Sequence, residues 1–337
     1  MTAINTSSPS PDTSSVTGND IATLERGLHA SGGTADRAFK STAYLAGGLV
    51  LLVLGLVTYT MVNRSTDAWS HMGLDFFTSR TWNPPEQVYG ILSYIFGTVY
   101  TACIALVISV PLSLGIALFI TQVAPRWLQR TMTYVIDLLA VVPSVVFGLW
   151  GVLVLSVHIK GFYTWMSSTF DGVPVLGSVF GPNPQGRSFF TAGIILAVMI
   201  TPIIVSLSRE VIQTTPQNEK EAALALGATR WEMIRGAVLP HSKGGLVGAV
   251  MLGLGRAMGE TIAVALVIGS ATGRIGLNVF AGGNSMPAVI TAEWGEADAL
   301  KKSALIAMAV TLFVMTILVN VIATTVVNRS MKKTRGV

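Results

Sequence analysis

Apolar residues gather into six stretches, at roughly 43–62, 90–120, 131–157, 188–208, 245–272 and 303–327, each set off by polar segments. Crossing a bilayer's hydrocarbon core takes about 20 helical residues, so each stretch predicts one membrane-spanning helix. The second and fifth exceed that minimum and predict tilting, bending or extension beyond the hydrocarbon. Pro111, Pro143 and Pro202 fall inside spans. There, neighbouring helices or hydroxyls must take up the freed carbonyls, whether the bends surround a pathway or merely serve packing. The fold class is all-α, a polytopic membrane protein with six transmembrane helices.

The intervening segments differ in kind. Residues 1–37 are rich in Ser, Thr, Gly and Asp, cannot bury enough surface to offset chain entropy, and predict a disordered tail. The apolar run that follows starts too late and is too long for the core of a cleaved signal, so it reads as a retained helix. A transmembrane domain spans 38–330 with a polar loop at 209–244, and 331–337 form a second tail. Residues 63–89 mix Trp69, Phe76, Phe77 and Trp82 with polar residues, as an interfacial aromatic belt does. Residues 158–187 read as an exposed, turn-rich loop. Residues 284–302 hold a short amphipathic stretch from Met286 through Ile290, a candidate docking or gating surface for an external partner.

Charge orients the chain. The two tails and the 122–130 and 209–244 loops carry 14 Lys and Arg, against 7 in the remaining loops. The positive-inside rule then places both termini and the 209–244 loop in the cytoplasm, in a multi-pass inner or plasma membrane protein. With 51% hydrophobic and only 12% charged residues, a nucleic-acid role is excluded and the +5 net charge reports topology. Cys103 stands alone, and His29, His71, His158 and His241 show no ligand spacing, so no metal site is predicted.

Within the 209–244 loop, residues 221–240 read as a helix, a glycine turn and a second helix. Glu219 and Glu221 lie near a helix N-terminus, Ala222, Ala223, Leu224, Ala225 and Leu226 propagate it, and Gly227 stops it in a left-handed conformation. Thr229 and Glu232 match a capping box, with Arg230 and Trp231 between them, and Leu239-Pro240 closes the unit.

Between Lys243 and Arg274 the ionisable residues are Arg256 and Glu260. Arg256 lies about 20 Å along a helix from Lys243, hence mid-membrane, where an unpaired, lipid-facing Arg costs at least about 2.5 kcal/mol. The spacing of four predicts Glu260 one turn on, on the same face, able to pair with Arg256 or with a neighbouring subunit. Such a pair either lines or gates a pathway, or is a static ion pair. Gly244 and Gly248, then Gly255 and Gly259, have the spacing that lets helix backbones approach closely. Asp137 lies seven residues after Arg130, near the cytoplasmic interface.

The Glu221-Ala-Ala, Gly227 and Leu239-Pro240 register resembles the cytoplasmic coupling motif of ABC importer permeases, with Ala237 where that motif has Ile. Three further segments resemble the Pst-type phosphate permeases: Pro143-Ser-Val-Val-Phe-Gly148, Gly255-Arg-Ala-Met-Gly-Glu-Thr261, and Met286-Pro-Ala with Trp294-Gly-Glu296-Ala. Ile-Ala-Val after Thr261 makes the pattern similar to the PstC-type subunit, and the likeness covers about 40–330. The resemblance implies a type I importer (MetI-like) architecture. It also implies pairing with a homologous PstA-like permease, two PstB-like ATPases carrying ATP and Mg, and a PstS-like extracytoplasmic phosphate-binding protein. By it, Ser144, Arg256, Glu260 and Thr261 line or gate the substrate pathway, and the 221–240 residues couple to the ATPase.

This sequence has no Gly-x-x-x-x-Gly-Lys-Ser/Thr, so the chain binds no cofactor by that route and borrows its energy. No nucleophile beside a histidine lies in a span, so the chain is not read as an enzyme and has no catalytic residue. A permease for sulfate or molybdate, a membrane sensor and an ion-driven transporter are the alternatives.

Overall fold

The computed structural model describes residues 34–182 and 184–334. The chain divides into two units, Met1–Thr60 and Met61–Val337. The described residues of the first belong to one long helix, α1 (Thr34–Arg64). Most of the predicted tail 1–37 thus lies outside the described residues, and its last four positions are already helical.

The second unit is built on α2 (Leu92–Leu118), α3 (Arg126–Val141), α4 (Ser144–Trp150), α5 (Phe189–Gln213), α6 (Gln217–Ala225), α7 (Arg230–Met233), α8 (Leu239–Gly259), α9 (Ile262–Val267), α10 (Met286–Glu293) and α11 (Ala299–Thr334). α11 runs through most of the predicted tail 331–337, whose last three residues lie outside the described residues. α5 is the core helix. Ile195, Leu196, Ile200, Ile204 and Val205 are buried, with α2 and α8 packed along it. Small residues set these contacts: a Cβ on Gly193 would come within 2.3 Å of Ile104, and one on Gly253 within 2.7 Å of Ile204. In a bilayer, where lipid is as apolar as leucine, such close packing is the main attraction between helices.

Among the described residues five helices are long and apolar enough to cross a membrane: Asp36–Met72, Leu92–Val123, Phe189–Gln213, Arg230–Gly259 and Ala299–Thr325. The predicted third span is a helix pair, Arg126–Val141 and Ser144–His158, apolar enough together to cross but bent by 89°, so the described residues hold up to six spans. Proline's ring disfavours helical geometry in the residue before it, and Val142 is extended at ψ 126°. The fifth span is shifted as well, running Arg230–Gly259 in place of 245–272. Pro111 and Pro202, by contrast, stay inside α2 and α5.

The predicted aromatic belt is not one. Phe76 and Trp82 are buried in a second core with Tyr89, Tyr94, Met286 and Leu305, and Phe77 alone of that pair stays partly open. A buried indole needs an acceptor for its N–H. Trp82 Nε1 donates to Glu293 Oε2 at 3.0 Å, and Lys301 Nζ pairs with the same oxygen at 2.9 Å, tying the Trp82–Asn83/Val88–Tyr89 hairpin to α10 and α11. The 158–187 loop is also more ordered than predicted. It forms a helix over Lys160–Thr169 whose Tyr163 is fully buried, stacked on Phe280 at 4.4 Å and hydrogen-bonded to Thr191 at 2.9 Å. Of the 284–302 stretch, Met286 through Val289 are buried, so only its end, around Trp294 and Glu296, remains exposed.

The loop before α10 docks on the start of α2: Met286 N–H donates to Thr98 Oγ1 at 3.0 Å, and a Cβ on Gly97 would lie 1.9 Å from the Asn284 carbonyl oxygen. That obstacle is backbone and cannot rotate away. Gly97→Ala is therefore expected to cost about 1–3 kcal/mol by overpacking, lowering the melting temperature in detergent by several degrees. Gly248→Ala, with nothing within 4 Å of the new methyl, leaves it unchanged. Equal melting curves for the two variants would contradict this packing.

Candidate functional site

The polar loop folds as its capping signals predict. α6 starts after Pro216 and ends before Gly227, which is left-handed at φ +87°. Thr229 Oγ1 accepts from the Glu232 N–H at 3.3 Å while Glu232 Oε2 accepts from the Thr229 N–H at 2.7 Å, completing the capping box. One side of this unit is anchored: Met233, Ile234 and Val238 are buried with Ile120, Val205 and Ile212, and Ala223 and Leu239 pack against them. The other side is open, with Glu221, Ala222, Arg230 and Glu232 exposed, Leu226 90% and Trp231 62% exposed. Large apolar side chains free on a polar, extramembrane unit mark a surface that meets another protein.

Leu239-Pro240 does not close the unit, contrary to the sequence reading. A π turn over Ile234–Val238 carries α7 directly into α8. Proline has no N–H to donate to the preceding turn, and the wider π turn placed just before it absorbs the mismatch. The result is a single rod of 30 residues from Arg230 to Gly259, about 45 Å long.

At that far end the helix stops. Glu260 is the residue at which the helix ends (φ −71°, ψ 126°), and it is buried while Arg256 is exposed, so the two side chains do not share a face. The predicted Arg256–Glu260 pair is absent. Ion pairs form elsewhere, between His241 and Glu219 at 3.7 Å and between Lys301 and Glu293 at 2.9 Å. Glu260 is instead buried at 8% exposure, and its Oε1 accepts from the Ala263 N–H at 3.4 Å, at the start of α9. The physical reason is the break itself: a glycine before Glu260 weakens the helix, and the carboxylate serves a free amide of the next one. Thr261, half-buried, lies in the break and its carbonyl accepts from Ala265 N at 3.0 Å.

Arg256 turns the other way. It shares an exposed face with Gly244, Gly248, Leu252 and Gly259, whereas Gly245 and Gly253 face α5. The two glycine sets therefore have separate uses. One is filled by Val211 and Ile204 of α5; at Gly248, Gly255 and Gly259 an added Cβ meets nothing within 4 Å.

The break at Pro143 faces the break at Glu260. α4 packs on α9 through glycines: a Cβ on Gly148 would be 2.9 Å from Ala263 Cα, and one on Gly151 2.7 Å from Val267. The two helices climb together, and one turn back along that register Ser144 stands level with Gly259 and Glu260. Ser144 is the first residue of α4, half-buried, and its hydroxyl makes no hydrogen bond within the described residues. Ser144 at the start of α4 and Thr261 just before α9 therefore lie toward the same end of this parallel pair, with Glu260 preceding it and Arg256 on the exposed face of α8. The sequence reading missed Gly148 and Gly151 as the residues that hold the two breaks together; a small residue every three or four positions was the available signal. Asp137 is exposed on α3 and takes no part in this cluster.

A helical membrane unit whose exposed polar turn runs without interruption into a span that ends at a break has the architecture of a permease-type transport component. Residues 109–333 match the model of the family described as binding-protein-dependent transport system inner membrane component. The chain is 40% identical over 300 residues to the phosphate transport system permease protein PstC of Xylella fastidiosa, covering 89% of this chain and 92% of that protein. It is 41% identical over 290 residues to PstC of Mesorhizobium japonicum, covering 86% and 88%. A crystal structure of a bacterial ABC transporter that imports alginate contains a chain superposing with a TM-score of 0.58 at 16% identity, over 87% of this chain and 96% of that one. The chain belongs to the family of binding-protein-dependent transport system inner membrane components, and within it to the PstC-type phosphate transport permeases.

Gly227→Val puts a β-branched residue where φ is +87°, at a cost of about 1–3 kcal/mol. Membrane insertion is expected to persist while co-purification of the ATPase and ATP-driven uptake fall together. Uptake and ATPase recruitment at parental levels would rule out the turn as the coupling surface. Ser144→Ala removes a hydroxyl with no partner among the described residues, so its melting temperature should match the parent while uptake falls; a lower melting temperature with normal uptake would make Ser144 structural.

Proposed function

We propose that this chain is the membrane-spanning permease subunit of an ATP-driven phosphate importer. Identity of about 40% to proteins named for phosphate transport, across nine-tenths of the chain, supports phosphate over sulfate or molybdate. In this reading a PstA-like permease completes the pathway, two PstB-like subunits bind and hydrolyse ATP with Mg, and a PstS-like protein delivers phosphate. The chain itself is not an enzyme and holds no cofactor. The coupling turn and both termini face the cytoplasm, in keeping with the Lys and Arg excess on that side.

The observation that carries the mechanism is the continuous rod from Arg230 to Gly259. Glu221, Ala222, Ala223, Gly227, Arg230, Trp231 and Glu232 dock on an ATPase, Leu239 and Pro240 lie where the coupling helix passes into the span, and ATP-driven movement there shifts the Glu260 break. The open face carrying Gly248, Gly255 and Gly259 meets the homologous permease at close backbone distance. Arg256 then stands at the seam, in the water-lined interior where an intramembrane cation is tolerated. Its planar fork can take two oxygens of one phosphate. Ser144 and Thr261 offer hydroxyls at the neighbouring breaks, and buried Glu260 repels the anion until the breaks part.

Arg256→Gln in the assembled complex is expected to reduce ATP-driven phosphate uptake in proteoliposomes at least about tenfold, the loss of one charge-assisted contact of roughly 1.5–3 kcal/mol. Arg256→Lys separates charge from geometry, with partial uptake if charge suffices and none if the fork is required. Glu260→Gln retains an oxygen to accept from Ala263, so the fold should hold while the transport cycle slows or uncouples from ATP hydrolysis. Parental uptake by both neutral variants would show that neither residue belongs to the pathway.

A further inference from the structure

The stretch from Met286 to Ala297 divides in two. Its first residues, Met286 through Val289, are buried. Its last, the single turn Trp294–Glu296 that follows α10, is held as firmly but faces outward. Ala297 is buried behind the turn, and its N–H donates to the Trp294 carbonyl at 3.4 Å. On one flank Glu293 is fixed by the Trp82 indole and by Lys301; on the other, the Asp298 carboxylate accepts from the Lys301 N–H at 2.7 Å, at the start of α11. The turn is therefore organised before any partner arrives.

Three consecutive residues of this turn serve nothing inside the chain. Trp294 leaves 45% of its surface open, where a tryptophan spent on the chain's own core is covered. Gly295 is not left-handed, and a Cβ added to it would meet nothing within 4 Å. Neither backbone geometry nor packing calls for glycine there, so its extra cost in chain entropy is not offset within the fold. Glu296 is exposed and has no hydrogen bond or ion pair among the described residues. An open indole, a bare backbone and a free carboxylate on one fixed turn have the composition of an interface anchor: the ring fills a pocket, the glycine admits a partner at close range, and the charge selects its sign.

The surroundings identify the occupant. Five of the ten residues from Glu293 to Lys302 are charged, so the turn stands in water and not among lipid chains. α11 leads from it to the C-terminal tail, so the positive-inside orientation puts it on the side away from the coupling turn and the ATPase. Glu296 and Asp298 beside the indole call for Lys or Arg on the partner. We propose that this turn is the anchor for the external protein that delivers phosphate, seated with a pocket over Trp294, its backbone against Gly295 and a basic side chain on Glu296. The inference rests on the phosphate-importer reading, which supplies that partner, and adds where it docks and with what chemistry. α10 packs on α9, whose early amide the Glu260 carboxylate holds, so a protein seated here bears on the helix that follows the break.

The test uses the whole complex in proteoliposomes, with the purified, phosphate-loaded PstS-like protein of the same organism added outside. Trp294→Ala is expected to raise the concentration of that protein needed for half-maximal uptake at least about tenfold, as loss of an anchoring interface tryptophan does. Gly295→Gln fills open space beside the turn and should act in the same direction with an unaltered melting temperature, so that misfolding does not account for the loss. Glu296→Lys should cost about three- to tenfold at low salt and little near 1 M salt, where charges are screened beyond about 3 Å. Parental half-saturation in all three variants, in a complex whose parent imports phosphate, overturns the docking turn and leaves the importer reading standing. With Cys103→Ala and Glu296→Cys, a short thiol-to-amine cross-linker should join this chain to the PstS-like protein. A cross-link to the homologous permease alone overturns the proposal in favour of a contact between the two permeases. A parent complex that imports no phosphate overturns the importer reading, and the same cross-link then decides whether the turn receives the external protein.

Discussion

The contact on which the rest of this structure depends is the glycine seam between α5 and α8. Gly245 lies against Val211 and Gly253 against Ile204, so close that a Cβ at either would fall within 2.7 Å of a side chain. Packing at that distance substitutes for the hydrophobic drive that a bilayer does not supply. It also fixes which face of the long rod is spent inside the chain. With one glycine set consumed by α5, the other, beside Arg256, is left for contact outside the chain.

Breaking a helix inside a membrane exposes backbone groups that cost several kcal/mol each if unpaired. This protein breaks two at the same level and limits the cost in different ways. At Pro143 the missing N–H removes one orphan, and Val146 N–H reaches back to the Pro143 carbonyl at 3.0 Å. At Glu260 a buried carboxylate accepts from one early amide of α9, that of Ala263. Non-helical backbone persists at membrane depth only where protein covers it or a cavity lies beside it. The facing breaks are the structural reason to look for the pathway there and not along the uninterrupted helices.

The π turns at Phe119–Val123, Gly151–Leu155 and Ile234–Val238 belong to the same economy. The last two insert a residue without ending the helix and so reorient one face against the next, whereas the first is the closing turn of its helix, followed by extended Ala124. The third has the clearest consequence. It keeps the helix continuous across a proline, so that the exposed turn carrying Trp231 and the buried break at Glu260 sit at the two ends of one helical segment.

The sequence by itself determined what local chemistry decides. Apolar runs gave the spans, because length and hydropathy alone decide membrane residence. Gly227 and the Thr229–Glu232 box gave the coupling turn, because caps act within a few residues of themselves. Only the tertiary structure decided what depends on distant partners. The spacing of Arg256 and Glu260 implied a common face, and the helix ended between them because Glu260 had an amide on the following helix to serve. Phe76 and Trp82 looked interfacial until Glu293, more than two hundred residues away, supplied the indole's acceptor. Pro143 signalled a bend and Gly259 read as a packing glycine, but that the helices following the two breaks pack on one another follows from Gly148 and Gly151 lying against α9, a contact between segments more than a hundred residues apart that no local pattern encodes.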